Sequence, residues 1–289
     1  MRKSFHHFLL IPFLCLANIS ICIAQSSAKS QWVYPDANGK LIYKTLQTGD
    51  KIMDFSYAGY MGGGIAIPAV PVKITLDPSA GDNTDAIQNA IDEVSKMKMV
   101  NSFRGAILLK PGTYDCGKAL KINASGVVLS GSGSGINGTI LNLTGKPHAC
   151  IEIRGTVSSK KIGDSTIIAD SYVPAGANSF HLKNVSGFSV GDTIRITRPI
   201  TDEWISFMGM DQLVRSGKKQ TWVSGDITTE RIISKIEKNK ITVDVPLNDS
   251  YDSKYTGPSG VSVQKITTAG LLSQIGIEDL RIVSPAQSV

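Results

Sequence analysis

The chain has 289 residues and a modest positive charge. Of its residues 42% are hydrophobic and 19% are charged, and the formal net charge at pH 7 is +6. A charge excess of this size without a run of lysine and arginine does not indicate nucleic-acid binding, but it is compatible with an anionic substrate such as an acidic glycan. After the N-terminal leader no apolar run is long enough to span a membrane, so we expect neither nucleic acid nor a membrane as a partner of the mature protein.

The leader, residues 1–24, has the three parts of a secretory signal peptide. It starts with the basic pair Arg2 and Lys3, continues with apolar residues 8–23, and ends in a small-x-small cleavage context at Ala24. We predict cleavage after Ala24 and a secreted or periplasmic protein, whose net charge is lower by two. The alternatives are an uncleaved membrane anchor, which the breaks at Pro12, Asn18 and Ser20 disfavour, and a lipid anchor on Cys22, which the bulky Ile21 disfavours.

Residues 25–53 are predicted to form an N-terminal segment with two short strands. Residues 31–34 and 40–43 flank the sequence DANG at residues 36–39, which is typical of a tight turn between paired strands.

An amphipathic helix of about four turns is predicted after Gly81. Asp82 suits the N-cap position, and Asp85 lies favourably near the positive end of the helix dipole. Apolar residues recur on one face at helical spacing: Ile87, Ala90, Ile91 and Val94. This apolar face requires a partner surface.

Short apolar strands separated by Gly, Asn and Ser turns make up most of residues 54–164. They are predicted at residues 106–109, 120–122, 127–129, 139–143 and 151–154. With no helices between them, such strands favour an all-β parallel β-helix, in which the chain coils and each turn stacks on the last. A β-sandwich has similar strand lengths and stays open as the alternative. Because the end of a coiled stack must be covered, we interpret the helix after Gly81 as its cap.

Residues 165–257 are predicted to form an antiparallel β subdomain inserted into the coils. Longer alternating strands are expected at residues 180–182, 193–197, 229–236 and 241–245, with an aromatic-bearing loop at residues 202–222. Short apolar alternation returns at residues 275–282, so residues 258–289 are expected to resume the coils. Stacked coils need a closing cap, and we therefore expect further coils beyond Val289.

Three motifs in order carry a resemblance to a known group of proteins. Residues 81–91 read GDNTDAIQNAI, residues 105–114 read GAILLKPGTY, and residues 127–133 read VVLSGSG. Together they resemble the N-terminal part of the pectate-lyase-like superfamily, which contains pectate lyases, polygalacturonases and other right-handed β-helix enzymes that act on polysaccharides. Members usually carry Asp-Phe-Gly-Ala close before the Gly-Asp motif, whereas here residues 54–57 read DFSY and lie far from it.

The resemblance implies a right-handed fold and an enzyme of polysaccharide degradation. We favour a lyase that cleaves an acidic, uronate-containing polysaccharide by β-elimination, which needs a base and a positive charge or calcium beside the uronate carboxylate. A polygalacturonase-like glycoside hydrolase, which needs two carboxylates, and a non-catalytic glycan-binding or adhesion β-helix are the alternatives. In the enzymes that the chain resembles, the catalytic groups lie on later coils, so we assign no catalytic residue here and expect them beyond Val289.

The predicted loop at residues 202–222 supplies the candidate substrate contacts. Trp204 and Trp222 could stack on sugar rings, while Arg198 and Arg215 could pair with carboxylates. The alternative is that both tryptophans fill the core of the subdomain.

Metal and disulfide signals are weak in the mature chain. His148 and His181 have no Cys or carboxylate at metal-ligand spacing, so we predict no protein-built metal site, and calcium enters only through the resemblance. Cys116 and Cys150 could form a disulfide in an oxidising compartment, or serve as two small buried hydrophobic residues.

Overall fold

The computed structural model describes residues 30–219, 223 and 225–286, so the predicted signal peptide with Cys22 lies outside the described residues, as does Trp222. The first strands are Val33–Pro35 (β1) and Leu41–Tyr43 (β2). Then follow Val72–Leu76 (β3), the helix Thr84–Lys96 (α1), Gly105–Leu109 (β4), Gly112–Cys116 (β5), Leu120–Ile122 (β6), Val127–Ser130 (β7), Thr139–Leu143 (β8) and Ile151–Ile153 (β9).

The second half of the chain contains further strands of different lengths and a short helix. These elements are Ser158–Ile167 (β10), Tyr172–Val173 (β11), Ser179–His181 (β12), Thr193–Arg198 (β13), the helix Asp202–Phe207 (α2), Val214–Arg215 (β14), Lys218–Lys219 (β15), Ile227–Glu237 (β16), Lys240–Val243 (β17), Tyr251–Asp252 (β18) and Ser262–Ala269 (β19). Gly276–Glu278 (β20) and Leu280–Val283 (β21) follow, and short 3-10 helices lie at Phe55–Tyr57, Tyr60–Gly62, Met210–Gln212 and Ser253–Tyr255. No helix in the described part of the chain is both long and apolar enough to cross a membrane.

Three parallel sheets show that the first part of the chain winds as coils. The sheets have the strand orders β20-β7-β4-β3, β21-β8-β5 and β6-β9. The strands β4, β5 and β6 of one coil therefore lie beside β7, β8 and β9 of the next, for example with Gly112 opposite Thr139. This parallel stacking agrees with the predicted parallel β-helix and differs from the antiparallel pairing of a sandwich.

The apolar face of α1 packs into the interior of these coils. Ile87, Ile91 and Val94 are fully buried, and they belong to one hydrophobic core with residues of β4 to β8. The helix begins at Thr84, so the cap position is Asn83 and the predicted N-cap Asp82 was wrong by one residue. The side chain of Asn83 bonds back to the preceding loop at Ser79, and Asp82 instead accepts a hydrogen bond from the Thr84 amide at 2.9 Å.

An antiparallel sheet with its own core lies between β9 and β20. Its strand order is β10-β19-β13-β16-β17-β12, and its buried residues form a second hydrophobic cluster. The sheet extends beyond the predicted bounds 165 and 257 on both sides, because β10 and β19 pair from Ser158 with Ala269 to Ile167 with Ser262. The early part of β10 is polar and exposed, so its strand character comes from pairing and not from an apolar pattern.

The two ends of this sheet meet where the chain leaves and rejoins the coils. A Cβ atom at Gly155 would lie 2.2 Å from the carbonyl oxygen of Gly270, which is closer than any side chain tolerates. Gly270 has φ +78 and faces the Thr156 carbonyl equally closely, so glycine is required on both sides of the crossing.

The predicted hairpin of residues 31–43 is confirmed, because β1 and β2 pair antiparallel. Cys116 is buried and Cys150 half-buried in the coil interior, and both are free thiols in the structure. Both cysteines therefore pack in the core as small hydrophobic residues. Burial, together with the nearby Cys150 sulfur, raises the pKa of the Cys116 thiol to about 12.

Candidate functional site

A cavity of about 640 Å³ lies beside the antiparallel sheet, within the size range of small-molecule sites. It is bounded by α2, the end of β13, and the loop that carries β18 and the 3-10 helix Ser253–Tyr255. Aromatic and charged side chains line it together. We call it the Arg198 cavity.

Arg198 is a charged residue at a core position of its strand. The side chains of β13 alternate, so Arg198 follows Ile194 and Ile196 on the buried face, and it is 4% exposed. Its Nε donates a hydrogen bond to Asp249 Oδ2 at 2.8 Å. Its Nη1 is buried and has no hydrogen-bond partner among the described residues. A buried donor without a partner typically costs about 1–3 kcal/mol, so this nitrogen is a candidate to bind a ligand oxygen.

Aromatic side chains cover the arginine and form one wall of the cavity. The Arg198 guanidinium carbon lies 4.5 Å from the centre of the Trp204 ring, a cation-π contact. Phe207 and Tyr255 stack with centroids 4.4 Å apart, and Phe207 is 63% exposed. An exposed aromatic ring beside polar groups is the type of surface on which a sugar ring can pack.

Thr201 holds this wall in place. Its Oγ1 accepts a hydrogen bond from the Trp204 amide at 3.2 Å, which caps α2, and donates to the Tyr255 carbonyl at 2.9 Å. The predicted loop at residues 202–222 was therefore wrong at its start, where a helix forms. The sequence Thr-Asp-Glu at residues 201–203 is a favourable helix start because of its cap and its acidic first turn.

The N-terminal segment forms another side of the cavity through Thr48. Asp50 attaches this segment to β11 and the following loop, because it accepts hydrogen bonds from the Tyr172 hydroxyl at 2.6 Å and the Ala175 amide at 2.8 Å. Burial opposes ionisation of Asp50, but hydrogen bonds from Thr48, Tyr172 and Ala175 outweigh it and lower its pKa. Burial, followed by the hydrogen bond to Asp50, raises the pKa of Tyr172.

The carboxylates of the cavity are already engaged. Asp249 pairs with Arg198, and Asp252 accepts a hydrogen bond from the Lys254 amide at 3.0 Å, which caps the 3-10 helix. Across the residues that the structure describes, no group of three or more His, Cys, Asp or Glu side chains is placed to hold a metal ion.

The structure brings together two of the four predicted contact residues. Arg198 and Trp204 meet in the cavity, whereas Arg215 lies exposed in β14 and is not part of the lining. Trp222 lies outside the described residues. Sequence reasoning missed Asp249 as the partner of Arg198, and nothing in the local pattern signals a contact across 51 residues.

Comparisons with known proteins give only distant structural matches. No protein-family model and no curated protein sequence matches the chain. The Gp54 tailspike of Acinetobacter baumannii bacteriophage AP22, solved with A. baumannii capsular saccharide, is similar over 71% of this chain, with 13% identity and a TM-score of 0.36. The tailspike protein gp49 from Pseudomonas phage LKA1 is similar over 70% of this chain, with 16% identity and a TM-score of 0.36. The Pseudomonas phage phi297 tailspike gp61 is similar over 69% of this chain, with 12% identity and a TM-score of 0.38.

The chain spans 27% of the length of each of these tailspike chains. The identities and TM-scores are too low to carry a functional assignment.

Proposed function

We propose that this chain belongs to a secreted β-helix protein that acts on an acidic polysaccharide, and that the Arg198 cavity binds a uronate-containing stretch of it. The observation that carries the proposal is the buried guanidinium, which has an unpaired nitrogen and lies under Trp204. In this proposal the coils are right-handed, as in the pectate-lyase-like superfamily. The helix α1 caps their first end, and the sheet from β10 to β19 is an inserted subdomain that carries the cavity.

A uronate sugar matches both chemical features of the cavity. Its ring has an apolar face that can pack on Phe207, and its carboxylate can accept hydrogen bonds from Arg198. Among the described residues Asp249 is the carboxylate paired with Arg198, and it binds Nε and leaves Nη1 without a partner.

We favour β-elimination over hydrolysis as the reaction of the whole protein. A hydrolase requires two carboxylates set across the glycosidic bond, and the two that line this cavity are held by Arg198 and by the Lys254 amide. A lyase requires positive charge beside the uronate carboxylate, which Arg198 and Lys254 supply. No residue of this chain is assigned as the catalytic base.

Calcium, which the resemblance implies, does not fit this cavity. Asp249 and Asp252 are the carboxylates of the lining, and both already serve as partners within the protein. The proposed binding of the carboxylate therefore uses the cationic side chains of the lining, with Arg198 as the hydrogen-bond donor.

The test measures retention and cleavage of polygalacturonate and alginate, with a neutral glucan as control. We expect binding to the acidic polymers, and near-ultraviolet absorbance from an unsaturated product if the protein tested contains the catalytic coils. New reducing ends without that absorbance would indicate a hydrolase, and retention without cleavage a glycan-binding protein. Absence of retention on every uronate polymer would refute the proposal.

Variants test whether the cavity is responsible. Charge-assisted hydrogen bonds contribute roughly 1.5–3 kcal/mol, so Arg198→Met is expected to weaken binding by about 10- to 100-fold. Arg215→Met, which removes an exposed arginine outside the cavity, is the matched control and should bind as the parent does. Because Arg198 is buried, Phe207→Ala provides a second variant at an exposed position, and it should also weaken binding. Unchanged binding in both cavity variants would place the site elsewhere.

A further inference from the structure

We propose that the β-helix carries a second ligand site, distinct from the Arg198 cavity, which takes a small molecule with an apolar body and an anionic group, such as an aryl or acyl carboxylate. The site is a cavity of about 570 Å³ lined by residues 68–71 before β3 and Lys73 within it, by residues 97, 98, 100 and 101 after α1, and by residues 103–105 at the start of β4. We call it the basic groove.

The walls of the basic groove are mainly hydrocarbon. Met97, Phe103 and two prolines line it, and Val100 at its rim is 67% exposed. Apart from the cations, Asn101 is the one side chain among the described lining residues that can exchange hydrogen bonds with a polyhydroxylated ligand. An alkyl or aromatic body would gain from burial against the hydrocarbon walls, whereas a sugar would lose water from hydroxyl groups that face them.

Every charged side chain in the lining is a cation. These side chains are Lys73, Lys98 and Arg104. In the described part of the chain neither Lys73 nor Lys98 has a hydrogen bond or ion pair from its side chain, and no carboxylate lines the groove. Clustered cations with no counter-charge favour an anionic group in the ligand.

Close backbone packing positions Lys73, and hydrogen bonds to backbone carbonyls position Arg104. The stem of Lys73 lies over Gly105, where a Cβ atom would come within 2.2 Å of Lys73 Cγ, so the glycine leaves room for the lysine. Arg104 donates from Nε to the Ser125 carbonyl at 3.0 Å and from Nη1 to the Met97 carbonyl, which fixes its guanidinium between the turn before β7 and the end of α1.

A tight turn brings the apolar rim together. Asn101 and Ser102 have φ 50 and φ 69, and Val100 and Phe103 exchange both backbone hydrogen bonds across them at 2.7 and 3.0 Å. A left-handed conformation costs a residue other than glycine roughly 1–2 kcal/mol. The turn accepts this cost and sets Val100 beside Phe103 at the edge of the groove.

The test uses 1-anilinonaphthalene-8-sulfonate, an anionic aromatic dye, and its neutral analogue N-phenyl-1-naphthylamine on the intact chain. We expect saturable binding of the anionic dye, displaced by octanoate or an aryl carboxylate and not by galacturonate oligomers. Displacement by the oligomers would make the groove a sugar site and overturn the proposal.

Charge variants assign the dye to the groove. Two exposed ion pairs are together worth about 0.4–2 kcal/mol, so Lys73→Met with Lys98→Met should weaken the anionic dye by about 2- to 30-fold and leave the binding of the neutral dye unchanged. Lys121→Met, an exposed lysine of β6 outside the groove, is the matched control. Val100→Asp adds a negative charge at an exposed rim position and should also reduce binding of the anionic dye.

Equal losses for both dyes, or an equal loss with Lys121→Met, would refute the charge-selective site. Anilinonaphthalene dyes also bind partly unfolded protein. Dye binding is therefore compared only among variants that show the same cooperative thermal unfolding transition as the parent. The dye measurements do not depend on polysaccharide binding. A failure of this proposal can therefore be distinguished from a failure of the proposed function of the Arg198 cavity.

Discussion

Replacing Asp50 by asparagine should release the N-terminal segment from the antiparallel sheet without unfolding either core. The Asp50 carboxylate receives hydrogen bonds from Thr48, Tyr172 and Ala175, and it is the main polar attachment of residues 44–53 to β11. Asparagine keeps one oxygen, so the bonds from Tyr172 and Ala175 cannot both remain, and its NH₂ group faces a donor.

The expected magnitude follows from these bonds. Hydrogen bonds to a charged acceptor contribute roughly 1.5–3 kcal/mol each, and Asp50 is only half-buried, so the loss of one should lower the free energy of local opening by about 2 kcal/mol. This corresponds to about 30-fold faster amide hydrogen exchange in the segment. Asp36→Asn is the matched control, since the Asp36 side chain accepts its hydrogen bonds from the amides of Asn38 and Lys40 within its own turn.

The pH dependence gives a second signature. The pKa of Asp50 in the folded protein lies below its pKa in the unfolded chain. The ionised carboxylate therefore stabilises the docked segment fully when the pH is above the unfolded pKa, and this stabilisation is lost as the pH falls through the folded pKa. After correction for intrinsic exchange rates, protection of residues 44–53 should be level from neutral pH to about 4 and should fall below it. Asp50→Asn should lack this acid step. Equal protection in Asp50→Asn and the parent would show that apolar contacts alone hold the segment.

Two further predictions concern the coil interior. Ile91→Ala in α1 should lower the free energy of unfolding by about 3 kcal/mol in chemical denaturation, because the side chain is fully buried, whereas Ile136→Ala, at a position that is 80% exposed, should change it by less than about 0.5 kcal/mol. In reduced native protein at about pH 8, iodoacetamide should label Cys116 and Cys150 at least about 100-fold more slowly than in protein unfolded by concentrated guanidinium. The reason is that burial raises the pKa of both thiols. Labelling of the native protein at the unfolded rate would contradict their place in the core.

Elements whose own residues carry an apolar pattern could be predicted from the sequence. The helix α1 was placed because Ile87, Ile91 and Val94 recur at helical spacing, and these residues are the ones that the coil interior buries. The strand β5 was missed because Gly112 and Thr113 look like part of a turn, and within this strand mainly Tyr114 and Cys116 face inwards.

Elements and contacts that depend on distant partners could not be predicted in this way. The polar start of β10 becomes a strand only because β19, about 100 residues later, supplies its hydrogen bonds. The same limit applied to the Arg198 cavity: Arg198 and Trp204 were named from residue type, but Asp249 and Thr48 reach them through the tertiary structure.

The arrangement of the two cores explains how a polar cavity can lie next to a β-helix without weakening it. The buried residues of the coils and those of the antiparallel sheet form separate clusters, joined through the glycine crossing at Gly155 and Gly270. The unpaired Nη1 of Arg198 therefore weakens only the sheet that carries it, and α1 with the coils keeps its own apolar packing. Since Thr48 from the N-terminal segment also lines the cavity, substitutions there should change the proposed polysaccharide binding before they change coil stability.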